Sequence, residues 1–99
     1  MHLVIFHPEA SKEFSEAVLW YEIQKRGLGT RFAMAVDILI TKIQNNPQLF
    51  GYSKKPFREA SVPLFPYNIV FKINSKKKII YISAVFNTNR NPKKKHRKI

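Results

Sequence analysis

Apolar positions along the chain fall into two rhythms. The run His2–His7 holds Val4, Ile5 and Phe6 together and predicts a short strand. Pro8 ends it and suits the first turn of a helix. Glu9 and Glu13 then stand where the positive end of a helix dipole favours acids. Ala10, Phe14, Ala17, Val18 and Tyr21 recur at helical spacing, so an apolar stripe runs up that helix. Gly27 and Gly29 end it, and Thr30 is the predicted N-cap of a second helix. There Phe32, Val36, Leu39, Ile40 and Ile43 repeat the stripe until Asn45-Asn46-Pro47 stops it. Two amphipathic helices joined by a short glycine-containing turn predict a helical hairpin with both stripes on one layer.

The second half changes period. Residues 48–56 read as a loop carrying Lys54 and Lys55. Phe57–Val62 reads as a strand, and Pro63 and Pro66 bracket a tight connection. Tyr67, Ile69, Phe71 and Ile73 alternate with Asn68, Val70 and Lys72, a strand pattern. Asn74-Ser75-Lys76 predicts a hairpin turn. Ile79–Phe86 is apolar on both faces, which places it in the sheet interior. Asn87 to Asn91 is a polar exit. The predicted order is β-α-α-β-β-β, an α+β domain: an N-terminal strand, a helical hairpin, then an antiparallel three-strand meander covered by helices on one face. With 99 residues there is room for one domain, assigned to 1–92, followed by a basic tail over 93–99.

Charge is placed unevenly. The net charge is +12; residues 1–59 hold eight Lys/Arg and all six Asp/Glu, whereas residues 60–99 hold ten Lys/Arg and no acid. A field of one sign draws acidic proteins or polyanions to that part of the molecule. There is no cysteine, so disulfides, zinc–thiolate sites and thiol nucleophiles are excluded. The apolar run Leu3–Phe6 is too short for a membrane span or a signal-peptide core, and a cytoplasmic protein is expected.

Candidate chemistry is sparse. Three glycines cannot build a glycine-rich phosphate loop, and the acids are too few for a metal cage, so no metal or cofactor is expected. Glu9, Glu13 and Glu16 share one helical face and read as a solvated surface. His2 and His7 lie on opposite faces of their strand. A basic and aromatic surface remains: Lys54, Lys55, Arg58, Lys72, Arg90, Lys93, Lys94, Lys95, Arg97 and Lys98 as partner or nucleic-acid contacts, with Trp20 as an exposed anchor on the first helix. Metal-free RNA cleavage needs a base, an acid and cations on the phosphorane. If the protein is a nuclease, the candidates are Arg58, Tyr67, Arg90 and His96, the last being the side chain there that titrates near neutrality. Arg58 interrupts a weakly polar strand, where an arginine requires an acid partner or a ligand.

The string FHPEASKEFSEAVLWYE, then GLGTRF, NNP with Phe50, FR at 57–58, FPY at 65–67 and AVFNTNRNP at 84–92 together resemble the RelE/ParE superfamily, the toxins of bacterial type II toxin–antitoxin modules. The resemblance spans about residues 3–92, and the order and spacing of these pieces carry it.

The resemblance implies a cytoplasmic, plasmid-stabilisation type of toxin that arrests growth. A cognate antitoxin with an acidic extended segment would neutralise it within a hetero-oligomer, with no membrane involved. Family members divide by target: DNA gyrase for ParE-like proteins, ribosome-bound mRNA for RelE-like nucleases. WYE and GLG-xRF resemble the ParE branch. Asn68 follows the strand tyrosine where the nucleases usually carry a phosphate-binding arginine, and nothing aromatic follows Phe86, so the resemblance favours target binding over catalysis. The alternatives are a RelE-type ribosome-dependent mRNA endonuclease and a non-toxic basic nucleic-acid-binding module.

Overall fold

The computed structural model describes residues 1–90 and 95–97. Strand β1 (Leu3–Phe6) leads into helices α1 (Pro8–Gln24) and α2 (Leu28–Asn45). A 3-10 turn at Pro47–Leu49 follows, then β2 (Tyr52–Lys54), β3 (Phe57–Ser61), β4 (Tyr67–Asn74) and β5 (Ile79–Asn87). The expected α+β architecture is present, with one strand more than expected. The segment 48–56, read as a loop, holds the short edge strand β2, paired antiparallel to β3. Its residues Tyr52, Ser53 and Lys54 are all exposed, so no apolar alternation marks them.

The five-stranded sheet has the order β1-β5-β4-β3-β2. Strands β2 to β5 form an antiparallel meander, longer than the three-strand one expected. β1 joins parallel to β5 through Leu3↔Ile79 to Phe6↔Ile82, and the αα crossover makes that parallel return. β5 therefore lies inside the sheet, as its two apolar faces required. A bulge interrupts its pairing with β4: Val70 opposes Ala84, but Phe71 opposes Ile82, leaving Ser83 as the extra residue. The bulge shifts the alternation by one. Ile80, Ile82 and Val85 consequently all face the helices, and Ala84 turns to the opposite face.

Between helices and sheet lies the main core. Phe32, Val36, Leu39 and Ile43 of α2 and Ala10, Ala17 and Tyr21 of α1 pack on Ile69, Phe71, Ile80 and Ile82. Phe32 is fully buried at its aromatic centre, with ring centroids 5.2 Å from Tyr21, 5.1 Å from Phe65 and 4.9 Å from Tyr67. The helical hairpin starts its second arm earlier than Thr30. Gly27, with φ 88°, is the N-cap, and α2 begins at Leu28. The cap comes from α1: Glu22 Oε2 accepts from Gly27 N–H at 2.8 Å, and Oε1 accepts from Gly29 N–H at 3.0 Å, an acid at the positive end of the helix. Gly29 lies inside α2 where the helices touch. A Cβ there would collide with the Val18 carbonyl oxygen and stand 2.9 Å from Glu22 Cβ.

Candidate functional site

Helices cover one face of the sheet, and the face without helices carries its own apolar cluster. Phe57, Val70 and Ala84 are buried there, with Phe86 packed beside them. Part of the C-terminal segment covers this cluster. Lys95 Nζ lies 5.1 Å from the Phe86 ring centre and 3.0 Å from Glu59 Oε1. Glu59 Oε1 is buried and makes no regular hydrogen bond, so this ion contact is what meets it. Its second oxygen accepts from Asn68 Nδ2 at 2.7 Å. Burial works to raise the Glu59 pKa, but Asn68, Lys95 and Ser53 outweigh it and hold the carboxyl below its ordinary value.

The His96 ring packs against Phe57, tilted by 49° with centroids 5.1 Å apart, and its Nε2 is 2.8 Å from Ser53 Oγ on β2. Burial foremost, then the Lys95 and Lys54 charges, lower its pKa, with Glu59 acting the other way. Ser83, the bulge residue, is fully buried and anchors the segment. Its Oγ donates toward the carbonyls of Lys95 at 2.7 Å and Arg97 at 3.1 Å, and it accepts from Arg97 N–H. Arg97 then turns around the β5 edge. Its guanidinium makes a bidentate pair with Glu13 of α1, with both contacts at 2.9 Å, and donates to the Ser83 carbonyl. Hydrogen bonding to Glu13, working against burial, raises the Arg97 pKa. Glu13 also accepts from Val85 N–H at 3.1 Å. The reading of Glu13 as a solvated surface acid is thus corrected: it closes the stretch of β5 beyond the end of β1.

A broad groove of about 790 Å³ opens beside this corner, between α1 and the β4 and β5 ends. Tyr21, Tyr67 and Phe86 are among its lining residues, together with Trp20, which is 56% exposed. Its polar rim includes Asn87, Asn89 and Arg90. The turn that carries Arg90 is held by Arg90 N–H on the Asn87 carbonyl and by Asn89 N–H on Asn87 Oδ1. An exposed indole, a phenol edge and a guanidinium on a firm turn suit a protein partner's side chains.

The expected site residues are distributed over three places. Tyr67, Arg90 and Trp20 line the groove together. Lys72 lies on the helix-free face, 5.9 Å from the Phe57 ring centre and 5.8 Å from that of Tyr81, the face that Lys95 and His96 cover, with Lys54 on the β2 edge opposite Phe57; Arg97 lies at the groove instead. Arg58 is elsewhere. It pairs with Phe71, well down β4 from Tyr67, and strand alternation turns it away from Phe57 and Glu59. Its guanidinium donates to the Phe50 carbonyl at 2.6 Å and to Tyr52 Oη at 2.9 Å, and stacks 4.1 Å from the Tyr52 ring centre. The partners of Arg58 are thus a carbonyl and a phenol rather than the acid expected, and Arg58 lies apart from Tyr67 and Arg90. Lys55, next to that edge, lies 5.0 Å from the same ring centre. His96, on the helix-free face, is likewise apart from Tyr67. Lys93, Lys94 and Lys98 lie outside the described residues.

Neither histidine of the first strand belongs to a site. His2 Nδ1 is 3.1 Å from the Gln44 carbonyl, and His7 Nδ1 caps α1 by accepting from Glu9 N–H at 3.0 Å. Among the described residues no group of His, Cys, Asp or Glu is arranged to hold a metal. No described helix is long and apolar enough to cross a membrane. The residues missed from the sequence are Glu13, Glu59 and Ser83. Ser83 had a signal: one hydroxyl inside an apolar interior strand must find partners.

A strand, a helical hairpin and a mixed sheet in this order define a ParE/RelE-like α+β fold. No family model matches the sequence, and no curated protein matches it. Among solved structures, the chain is similar to one from the "Chromosomal ParDE TA system from P. aeruginosa", with a TM-score of 0.74. That likeness covers 88% of this chain and 96% of the other at 11% sequence identity, and is therefore a likeness of fold.

Proposed function

We propose that the protein is the toxin of a type II toxin–antitoxin module. In this reading it arrests growth by binding an essential target, DNA gyrase being the leading candidate, and a cognate antitoxin neutralises it in the cytoplasm. The observation that carries this reading is the fold shared with a chain of a ParDE system. The strongly basic surface, +12 over the chain, complements an acidic antitoxin segment. Binding rather than catalysis is favoured by the placement of the candidate groups. Arg58 is held by Phe50 and Tyr52, His96 lies over Phe57 on the helix-free face, and Tyr67 belongs to the aromatic cluster under the helices. A base, an acid and a phosphate cation from this set do not converge. The groove with Trp20, Tyr67 and Arg90 is then the leading surface for a protein contact, and Lys54, Lys72 and Lys95 form a second, basic one.

The test is a gyrase supercoiling assay with the purified chain, run beside translation of a reporter mRNA on ribosomes. Loss of supercoiling with intact mRNA is expected. Unchanged supercoiling at large toxin excess, with new 5′ ends inside codons, would transfer the protein to the RNA-cleaving branch.

A further inference from the structure

A second stripe on α2 lies outside the groove, and of its residues only Ala35 packs against the core. Arg31, Ala35, Ile38 and Lys42 stand at i, i+4, i+7 and i+11, hence on one line of the helix. With Leu64 and Phe65 of the β3–β4 connection they line a depression of about 210 Å³. Ile38 is 57% exposed and Leu64 94% exposed. Leu64 breaks two local rules at once. It is an almost fully exposed large apolar side chain, and its φ of 69° is a left-handed conformation that a leucine rarely adopts. The loop does not let it relax. Val62 N–H donates to the Tyr67 carbonyl at 2.9 Å, Tyr67 N–H to the Phe65 carbonyl at 2.8 Å, and Thr88 N–H to the Pro66 carbonyl at 2.9 Å. A strained residue held in place at a surface points to a contact it was kept for.

We infer that this depression is a docking site for an acidic segment of a partner protein, with one bulky apolar side chain seated beside Leu64 and Ile38 and carboxylates on Arg31 and Lys42. Charge complementarity selects the occupant. Both charged residues lining the depression are cations, and Asp37, the sole acid of α2, is not among its lining residues. A second copy of this chain would bring its own net charge of +12 against those cations. A nucleic acid would find two cations separated by apolar side chains rather than a continuous basic track. Arg31 and Lys42 are eleven residues apart on the helix, about 16 Å along its axis. An extended chain spans that distance in about five residues. The segment therefore has acids about five residues apart with a large apolar residue between them. This inference holds whether the partner is an antitoxin or a target.

The test uses the full chain and a fluorescent synthetic peptide with two glutamate pairs about five residues apart and a central leucine. Leu64→Gly is the first variant, because glycine adopts the left-handed conformation freely and the fold is kept; an unchanged or raised melting temperature is the control for that. Fluorescence anisotropy should show affinity falling about tenfold with Leu64→Gly, with Arg31→Gln combined with Lys42→Gln, and with serine in place of the peptide's leucine. Lys76→Gln combined with Lys77→Gln, in the distant β4–β5 turn, should change it little. Equal binding by Leu64→Gly, or an equal loss in the Lys76/Lys77 variant, would overturn the inference and leave only general attraction to a basic protein. Self-association abolished by Leu64→Gly would overturn it in favour of a second copy.

Discussion

Arg97 and Glu13, 84 residues apart in sequence, form a bidentate ion pair at the point where β1 stops and the β5 edge would otherwise be bare. Four groups meet there: the carboxylate accepts from Val85 N–H, the guanidinium donates to the Ser83 carbonyl, and the two ions pair with each other. Both side chains are mostly buried, at 16% and 29% exposure, so solvent screens the pair less than a surface one. Arg97→Ala should lower stability by about 1.5–3 kcal/mol. Glu13→Ala should cost more, because it also strips Val85 N–H of its acceptor. Urea denaturation of both variants checks the ranking, and an equal or reversed order would mean the edge closure matters little.

Acid should release the segment that lies on the helix-free face. The His96 pKa is below its ordinary 6.5, so the unfolded chain takes up the proton first as the pH falls. The stabilisation is complete above 6.5 and is lost as the pH drops through the lower folded-state value. Glu59 adds a second step with the same sign further down, since its pKa lies below 4.5. NMR titration of the His96 ring should give a midpoint below 6.5, accompanied by faster amide exchange at Arg97. A midpoint at or above 6.5 would contradict the packing of the ring on Phe57.

The α1–α2 contact is close enough to reject a methyl group. Gly29→Ala should destabilise by about 1–3 kcal/mol through overpacking against Val18 and Glu22. Gly27→Ala meets no atoms, and its cost of about 1–2 kcal/mol comes from φ 88° alone. Glu22→Ala, which removes the acceptor for the N–H groups of the N-cap Gly27 and of Gly29, should cost about 0.5–2 kcal/mol. Thermal melts of the three variants separate these causes.

Phe32 is the residue on which helices and sheet both depend. Phe32→Ala should cost about 3–5 kcal/mol, a large share of a small domain's stability. A melting temperature within a degree or two of the parent would show that the aromatic cluster is not the core's centre.

Much of this was legible from periodicity. The stripes through Tyr21 and Phe32 and the alternation through Ile69 and Phe71 predicted which residues the core buries, because burial on one face imposes a period on a helix or strand. β2 was not legible, since its three residues bury nothing and pair only through the backbone. The parallel seat of β1 on β5 is a long-range register that no local pattern encodes. At the site, Arg58 stands out in the sequence as an arginine in need of an acid partner or a ligand. Its partner is the Phe50 carbonyl beside it, which no side-chain pattern records. The charge of Lys95 and Arg97 hid a docked segment for a similar reason. Basic runs are normally solvated, and only the buried Ser83 hydroxyl and the acids Glu59 and Glu13 reveal otherwise.

The proposed role is that of a toxin whose groove with Trp20 and Arg90 meets its target. Colony counts after induction of the chain alone in a bacterial host, beside a Trp20→Ala/Arg90→Ala variant of unchanged melting temperature, test it most directly. The parent chain is expected to collapse viable counts, and the variant is expected not to. Undiminished counts at full expression of the parent chain would contradict it.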